Sequence, residues 1–63
     1  MKTVKMSAEN MRRLYEGYKV VTGKYTYWSR VDAVTGAIRF YRQNTNLHNA
    51  GLDSEVEGVK VVC

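Results

Sequence analysis

This chain of 63 residues, 44% hydrophobic and 25% charged, has the composition of a folded protein and the length of one small domain, spanning residues 1–63. So short a chain buries only about 60% of the surface that it exposes when unfolded, so an enclosed substrate cleft is not expected. The net charge of +4 is uneven, with nine Lys and Arg against three acids in residues 1–44 and one against three in residues 45–63. The basic part either serves solubility alone or favours an acidic partner, which is nucleic acid or another protein.

The location of the protein is indicated by what the sequence lacks. No apolar run approaches the roughly 20 residues that cross a bilayer, and the first residues, MKTVKMSAENMRR, have no apolar signal-peptide core. The single cysteine, Cys63, cannot build a disulfide framework. We therefore predict a cytoplasmic protein with no membrane partner.

The first predicted elements are an edge strand and a helix. Residues 2–6 alternate in polarity, and their lysines discourage pairing with another sheet edge. Ser7 is a natural helix N-cap, with Glu9 in the first turn. A stripe at helical spacing then runs to Thr22, and Gly23 can end the helix; the stripe consists of Met11, Leu14, Tyr15, Tyr18 and Thr22.

An alternative end of this helix stays open. Gly17 can end it early, which would leave residues 18–22 as an extra strand because Val20 and Val21 are β-branched. We favour the longer helix, since the spacing from Tyr18 to Thr22 continues the stripe.

Residues 24–43 predict a β-hairpin that turns at residues 33–36, with Gly36 accepting a positive φ. A four-residue loop pairs Val31 with Ile38 and Trp28 with Tyr41. One face then carries Tyr25, Tyr27, Val31, Ile38 and Phe40, and the other carries Lys24, Thr26, Trp28, Arg30, Arg39, Tyr41 and Gln43. A three-residue loop with a bulge at Gly36 would scatter apolar side chains over both faces, so we prefer the first register.

The rest of the chain predicts a loop and a final strand. Residues 44–51 are rich in turn formers, and residues 55–63 contain valines that suit a strand, with Gly58 as a candidate bulge. The predicted fold is α+β, a β-α-β-β-β chain whose antiparallel sheet packs one helix on its apolar face.

The polar face of the hairpin is the candidate binding site. Tryptophan and tyrosine stack on bases or fill protein interfaces, and arginine pairs with phosphates or carboxylates. The predicted contact residues are Trp28, Arg30, Arg39, Tyr41, Arg42 and Lys24, with a secondary basic surface at Arg12, Arg13 and Lys19. The competing interpretation is that cross-strand aromatic and cation–π contacts simply stabilise the sheet, and that Arg12 forms a solvated pair with Glu16.

Catalytic and metal chemistry are poorly supported. His48 stands alone in a polar segment, Cys63 is terminal, and no Gly-rich phosphate loop or His-containing metal motif occurs. Asp53, Glu55 and Glu57 near His48 suit a hard cation in principle, but a solvated acidic edge explains them better. We therefore predict no enzyme activity, no cofactor and no metal.

These features predict a small, non-enzymatic binding protein that docks on a larger protein or nucleoprotein complex through its basic, aromatic sheet face. Small size and the lack of catalytic motifs are associated with inhibitors and accessory proteins of phages and mobile elements. The first alternative is direct binding of single-stranded or non-specific nucleic acid by the same face. The second is a homodimer or larger homo-oligomer that pairs through an exposed strand at residues 59–62.

Overall fold

A computed structural model describes residues 2–63 as one small α+β unit. Within those residues the elements are β1 (Lys2–Lys5), α1 (Ala8–Tyr15), β2 (Val20–Val21), β3 (Tyr25–Val31), β4 (Ile38–Asn44), α2 (Thr45–Asn49) and β5 (Glu57–Val62). The five strands form one sheet in the order β1-β5-β4-β3-β2. The predicted α+β class is confirmed, but the sheet is mixed, because β1 and β5 run parallel while the other pairs are antiparallel.

Helix α1 ends at Tyr15, in agreement with the alternative prediction that Gly17 ends the helix early. Ser7 caps the helix by accepting a hydrogen bond from the backbone N–H of Asn10, as predicted. At the other end Gly17 has φ +90°, and the N–H groups of Gly17 and Tyr18 bond back to the carbonyls of Leu14 and Arg13. This pattern is a Schellman motif, which needs a left-handed residue after the helix. The predicted helix to Thr22 is therefore wrong, and Val20–Val21 forms β2 against β3.

The hairpin has the predicted register. Val31 pairs with Ile38 and Trp28 with Tyr41, and the N–H of Asp32 donates to the carbonyl of Ala37 at 2.8 Å. The loop of residues 33–36 is closed by the N–H of Gly36, which has φ +74° and donates to the carbonyl of Asp32. The four-residue loop is confirmed.

Asp32 organises this loop with its side chain. Its Oδ1 accepts hydrogen bonds from the N–H groups of Val34 and Thr35, at 2.8 and 3.2 Å. These two bonds favour the charged carboxylate, and Arg39 adds to them, so the pKa of Asp32 lies below its usual value. An Asx-type turn of this kind pre-shapes the loop that sets the hairpin register.

One face of the sheet, here named the core face, packs against α1. Leu14 is fully buried there, and the hydroxyl of Ser29 donates to the Leu14 carbonyl at 2.7 Å. The buried apolar cluster consists of Met6, Leu14, Val20, Tyr27, Val59 and Val61. The hairpin tip extends beyond α1, so Val31 is 68% exposed although it lies on the predicted core side.

Three further expectations are corrected by the structure. The segment after β4 contains α2 instead of being only a loop, because the side chain of Asn44 caps its first turn by accepting from the N–H of Asn46. Gly58 pairs in a continuous ladder and forms no bulge. The strand at residues 59–62 is internal, since β5 lies between β1 and β4. The edges are β1, as predicted for residues 2–6, and β2.

Neither helix among the described residues has the length and apolar content to pass through a bilayer.

Candidate binding groove

The second sheet face, here named the groove face, brings four of the predicted contact residues together. Trp28 and Tyr41 are directly opposed on β3 and β4, as are Arg30 and Arg39. The Trp28 and Tyr41 rings stack with 6.3 Å between their centroids and 25° between their planes. Nε of Arg39 lies 3.7 Å from Oδ2 of Asp32. The hairpin register thus produces the aromatic and basic strip that the sequence predicted, while its role in binding stays a prediction.

Arg42 lies on the core face instead. It is only 6% exposed, its Nε donates to Oε1 of Glu57, and its guanidinium carbon lies 4.1 Å from the centroid of the Tyr25 ring. Burial disfavours the guanidinium charge, but hydrogen bonds to Tyr27 and Glu57 and the Glu57 charge outweigh it and raise the pKa of Arg42. Arg42 is therefore a structural ion-pair partner that is turned away from the groove face.

The remaining predicted cations divide between the two sides of the molecule. Arg12 and Arg13 are exposed on α1, paired with Glu16 and Glu9 at 3.8 and 3.2 Å, and thus lie across the sheet from Trp28. Lys24 precedes β3, with its Nζ 5.4 Å from the Tyr25 ring. Lys19, predicted as part of the same basic surface as Arg12, reaches the groove face instead.

The wall of the site comes from α2 and the segment that follows it. Gln43, only 3% exposed, donates through Nε2 to the carbonyls of Leu52 and Ser54, the latter at 2.8 Å. The hydroxyls of Thr26 and Thr45 meet at 3.2 Å. Hydrogen bonds from the sheet therefore hold α2 and residues 50–54 over half of the groove face.

His48 links this wall to the floor. Its ring stacks on Trp28, with 5.2 Å between centroids and 27° between planes. Its Nδ1 lies 3.2 Å from Oε1 of Gln43, and its Nε2 lies 2.9 Å from Nζ of Lys19. Because Nε2 of Gln43 faces two carbonyls, the amide orientation is set and its Oε1 must accept from His48. Nδ1 therefore carries the proton, and Nε2 accepts from the Lys19 ammonium.

Together these elements form a solvent-open groove with a volume of about 600 Å³. Its floor is formed by Trp28, Tyr41 and Gln43, its wall by His48, Leu52 and Val56, and its rim by Lys19, Arg30 and Asp53. Within residues 2–63, no carboxylate lies within ion-pair distance of Lys19 or Arg30. The groove therefore combines a flat aromatic floor, an apolar wall and two cations available to an anion.

The sequence pattern does not predict the wall of the groove. His48 looked isolated in a polar loop, and Leu52 and Val56 carried no periodic signal. Asn44 was the usable clue, since an N-cap residue before Leu47 and His48 suggests a short helix. The contact of that helix with Trp28 depends on tertiary packing.

The groove offers an aromatic surface, apolar side chains and two cationic residues. No cluster of three or more His, Cys, Asp or Glu side chains within residues 2–63 is arranged to hold a metal ion. Ser29 donates its hydroxyl to a backbone carbonyl, and Cys63 is exposed. The groove can hold a flat or apolar group on Trp28 and Tyr41 and an anion beside Lys19 and Arg30.

The chain matches no protein-family model, and comparisons with curated proteins and with solved structures found no match.

Proposed function

We propose that this protein is a non-enzymatic binding protein that docks on a larger protein through the groove and covers a functional surface of that partner, as an inhibitor or accessory protein does. The observation that carries the proposal is the stacked Trp28–Tyr41 floor between an apolar wall and two cations, Lys19 and Arg30, that have no carboxylate partner among residues 2–63. Tryptophan, tyrosine and arginine dominate the energetic centres of protein interfaces. Leu52 is 52% exposed, and its burial under a partner would be favourable.

Direct binding of nucleic acid is the second candidate, since the open part of the groove face carries both stacking rings and cations. Arg30 and Arg39 are opposed on adjacent strands beside Trp28 and Tyr41, and Lys60 is exposed on the neighbouring strand. Bases could stack on the rings while phosphates meet these cations. This mode would weaken steeply with salt, because each neutralised phosphate releases counterions.

The test is affinity capture from a lysate of the organism that supplies the chain, with and without nuclease. The wild type is compared with Arg30→Gln and Leu52→Ser, and Arg12→Gln is the matched control because it removes the same charge on the opposite side of the molecule. We expect a partner protein that survives nuclease, is lost with both groove variants and is kept by the control. Equal capture by all four proteins would refute docking through the groove, and loss on nuclease treatment would favour nucleic acid.

A further inference from the structure

Lys19 and Arg30 approach Trp28 from two directions. Val20 pairs with Tyr27, so Lys19, one residue earlier in this antiparallel pair, is placed beside Trp28. Arg30 follows Trp28 by two residues on β3 and therefore projects from the same face. Both residues line the groove. Trp28 thus has one cationic residue beside it on the adjacent segment and another two residues along its own strand.

The two cations differ in how they are held. One donor of the Lys19 ammonium is used by Nε2 of His48, which leaves two donors for another acceptor. Arg30 is exposed and has no carboxylate within ion-pair distance among residues 2–63, whereas Arg39 on the same face is close to Asp32. A carboxylate seated between Lys19 and Arg30 would gain charge-assisted hydrogen bonds from both cations.

The other residues of the groove restrict which kind of molecule can carry that carboxylate. Leu52 and Val56 offer apolar surface, and Asp53 adds a negative charge on the same rim. A polynucleotide carries one charge at every nucleotide and would bring phosphates towards Asp53. A peptide can place one carboxylate at Lys19 and Arg30 and apolar side chains against Leu52 and Val56. The charge distribution therefore favours a protein segment.

We infer that the groove recognises a partner segment in which an acidic side chain is flanked by apolar ones, with Lys19 and Arg30 as the carboxylate-binding pair. This inference rests on the proposed docking function and specifies the chemistry of its partner. Trp28 supplies the apolar surface beneath the carboxylate, and His48 keeps Lys19 in place by accepting one of its hydrogen bonds.

The experiment is an NMR titration of the isotope-labelled full chain with two blocked peptides at millimolar concentration, acetyl-Leu-Glu-Leu-amide and acetyl-Leu-Gln-Leu-amide. We expect the acidic peptide to shift the indole N–H of Trp28 and the amides of Lys19 and Arg30. We expect it to bind at least about tenfold more tightly than the neutral peptide, the effect of one charge-assisted hydrogen bond. Arg30→Gln and Lys19→Gln should each remove that preference, and Arg12→Gln should keep it.

The outcomes separate this inference from the docking function. The carboxylate inference would be overturned if the two peptides bind equally, or if neither shifts the resonances of groove residues. This holds even if capture from the lysate still depends on the groove. If the groove prefers the acidic peptide but the groove variants capture the same proteins as the wild type, the carboxylate site is supported and the docking function is refuted. A single-stranded oligothymidylate is the competitor. If it binds the groove more tightly than the acidic peptide and displaces it, the inference that the partner is a protein segment is overturned.

Discussion

The two faces of the sheet are covered by helices that are attached in different ways. On the core face, α1 is held by apolar contacts centred on Leu14, which is 0% exposed. On the groove face, α2 and the following segment are held by hydrogen bonds from Gln43 and Thr26 and by the stacking of His48 on Trp28.

The difference in attachment predicts that substitutions on the two faces have different effects. Apolar burial is the main favourable term in folding, whereas a hydrogen bond formed in place of one to water contributes little net stability but sets geometry. We therefore expect substitutions on the core face to change the free energy of unfolding, and substitutions on the groove face to change binding or local order.

The largest expected effect is that of Leu14→Ala. Removing this buried side chain leaves a cavity under α1 and should lower the free energy of unfolding by about 2–5 kcal/mol. The matched variant is Leu52→Ala, which deletes the same atoms from a groove residue that is 52% exposed and should cost less than about 1 kcal/mol. Denaturant unfolding measures both. Similar losses in the two variants would contradict the division between the faces.

A pair of arginine substitutions applies the same comparison to charge. Arg42→Met breaks the buried pair with Glu57 and should cost about 1–3 kcal/mol, towards the lower end because the Glu57 side chain is 48% exposed and solvent screens it. Arg30→Met should change stability by less than about 0.5 kcal/mol, since Arg30 is exposed. Thermal unfolding measures the two stabilities. In affinity capture we expect the opposite order, with Arg30→Met losing the partner and Arg42→Met keeping it. Loss of capture with a folded Arg42→Met protein would place the interface on the core face.

Gln43→Met tests how much the hydrogen bonds of Gln43 contribute to holding the groove wall. It keeps the side-chain volume but removes the donor to the carbonyls of Leu52 and Ser54, at a cost of about 1 kcal/mol. We expect faster amide hydrogen exchange in residues 50–56, while the amides of α1 keep their protection as an internal control. Uniformly faster exchange in both regions would mean that the wall and the core open together.

The smallest expected effect concerns Asp32 at the hairpin turn. Its pKa is lowered in the folded protein, so its contribution to stability is complete above the ordinary aspartate pKa of about 3.9 and is lost as the pH falls through the lowered value. NMR titration should show the amides of Val34 and Thr35 shifting in that acidic range. Asp32→Ala should remove the dependence, and the groove resonances should not follow it.

Local signals predicted much of the fold. Ser7 capped the helix, residues 2–6 formed the edge strand, and the turn with Gly36 set the pairing of Trp28 with Tyr41. The length of α1 was misjudged because helical spacing continued to Thr22, while Gly17 and the β-branched Val20 and Val21 ended the helix and began a strand. There two local signals conflicted, and the glycine prevailed because it alone tolerates the left-handed conformation without strain.

The candidate site was predicted less completely than the fold. Alternation along β3 and β4 placed Trp28, Arg30, Arg39 and Tyr41 on one face, because the period of a strand is a local property. The same alternation places Arg42 with Tyr27 on the core face, so its selection as a contact residue followed its charge and not its position. The pairing of Lys19 with His48 joins residues 29 apart in the chain, and no local pattern indicates such a contact.

By itself, the sequence determined the α+β class, the hairpin register and the aromatic, basic strip, since each depends on residues that are close in the chain. Only the tertiary structure decided that β1 pairs in parallel with β5, that Arg42 is buried against Glu57, and that α2 turns an open strip into a groove. The physical reason is that these contacts join distant segments, whose meeting depends on how the whole chain buries its apolar surface.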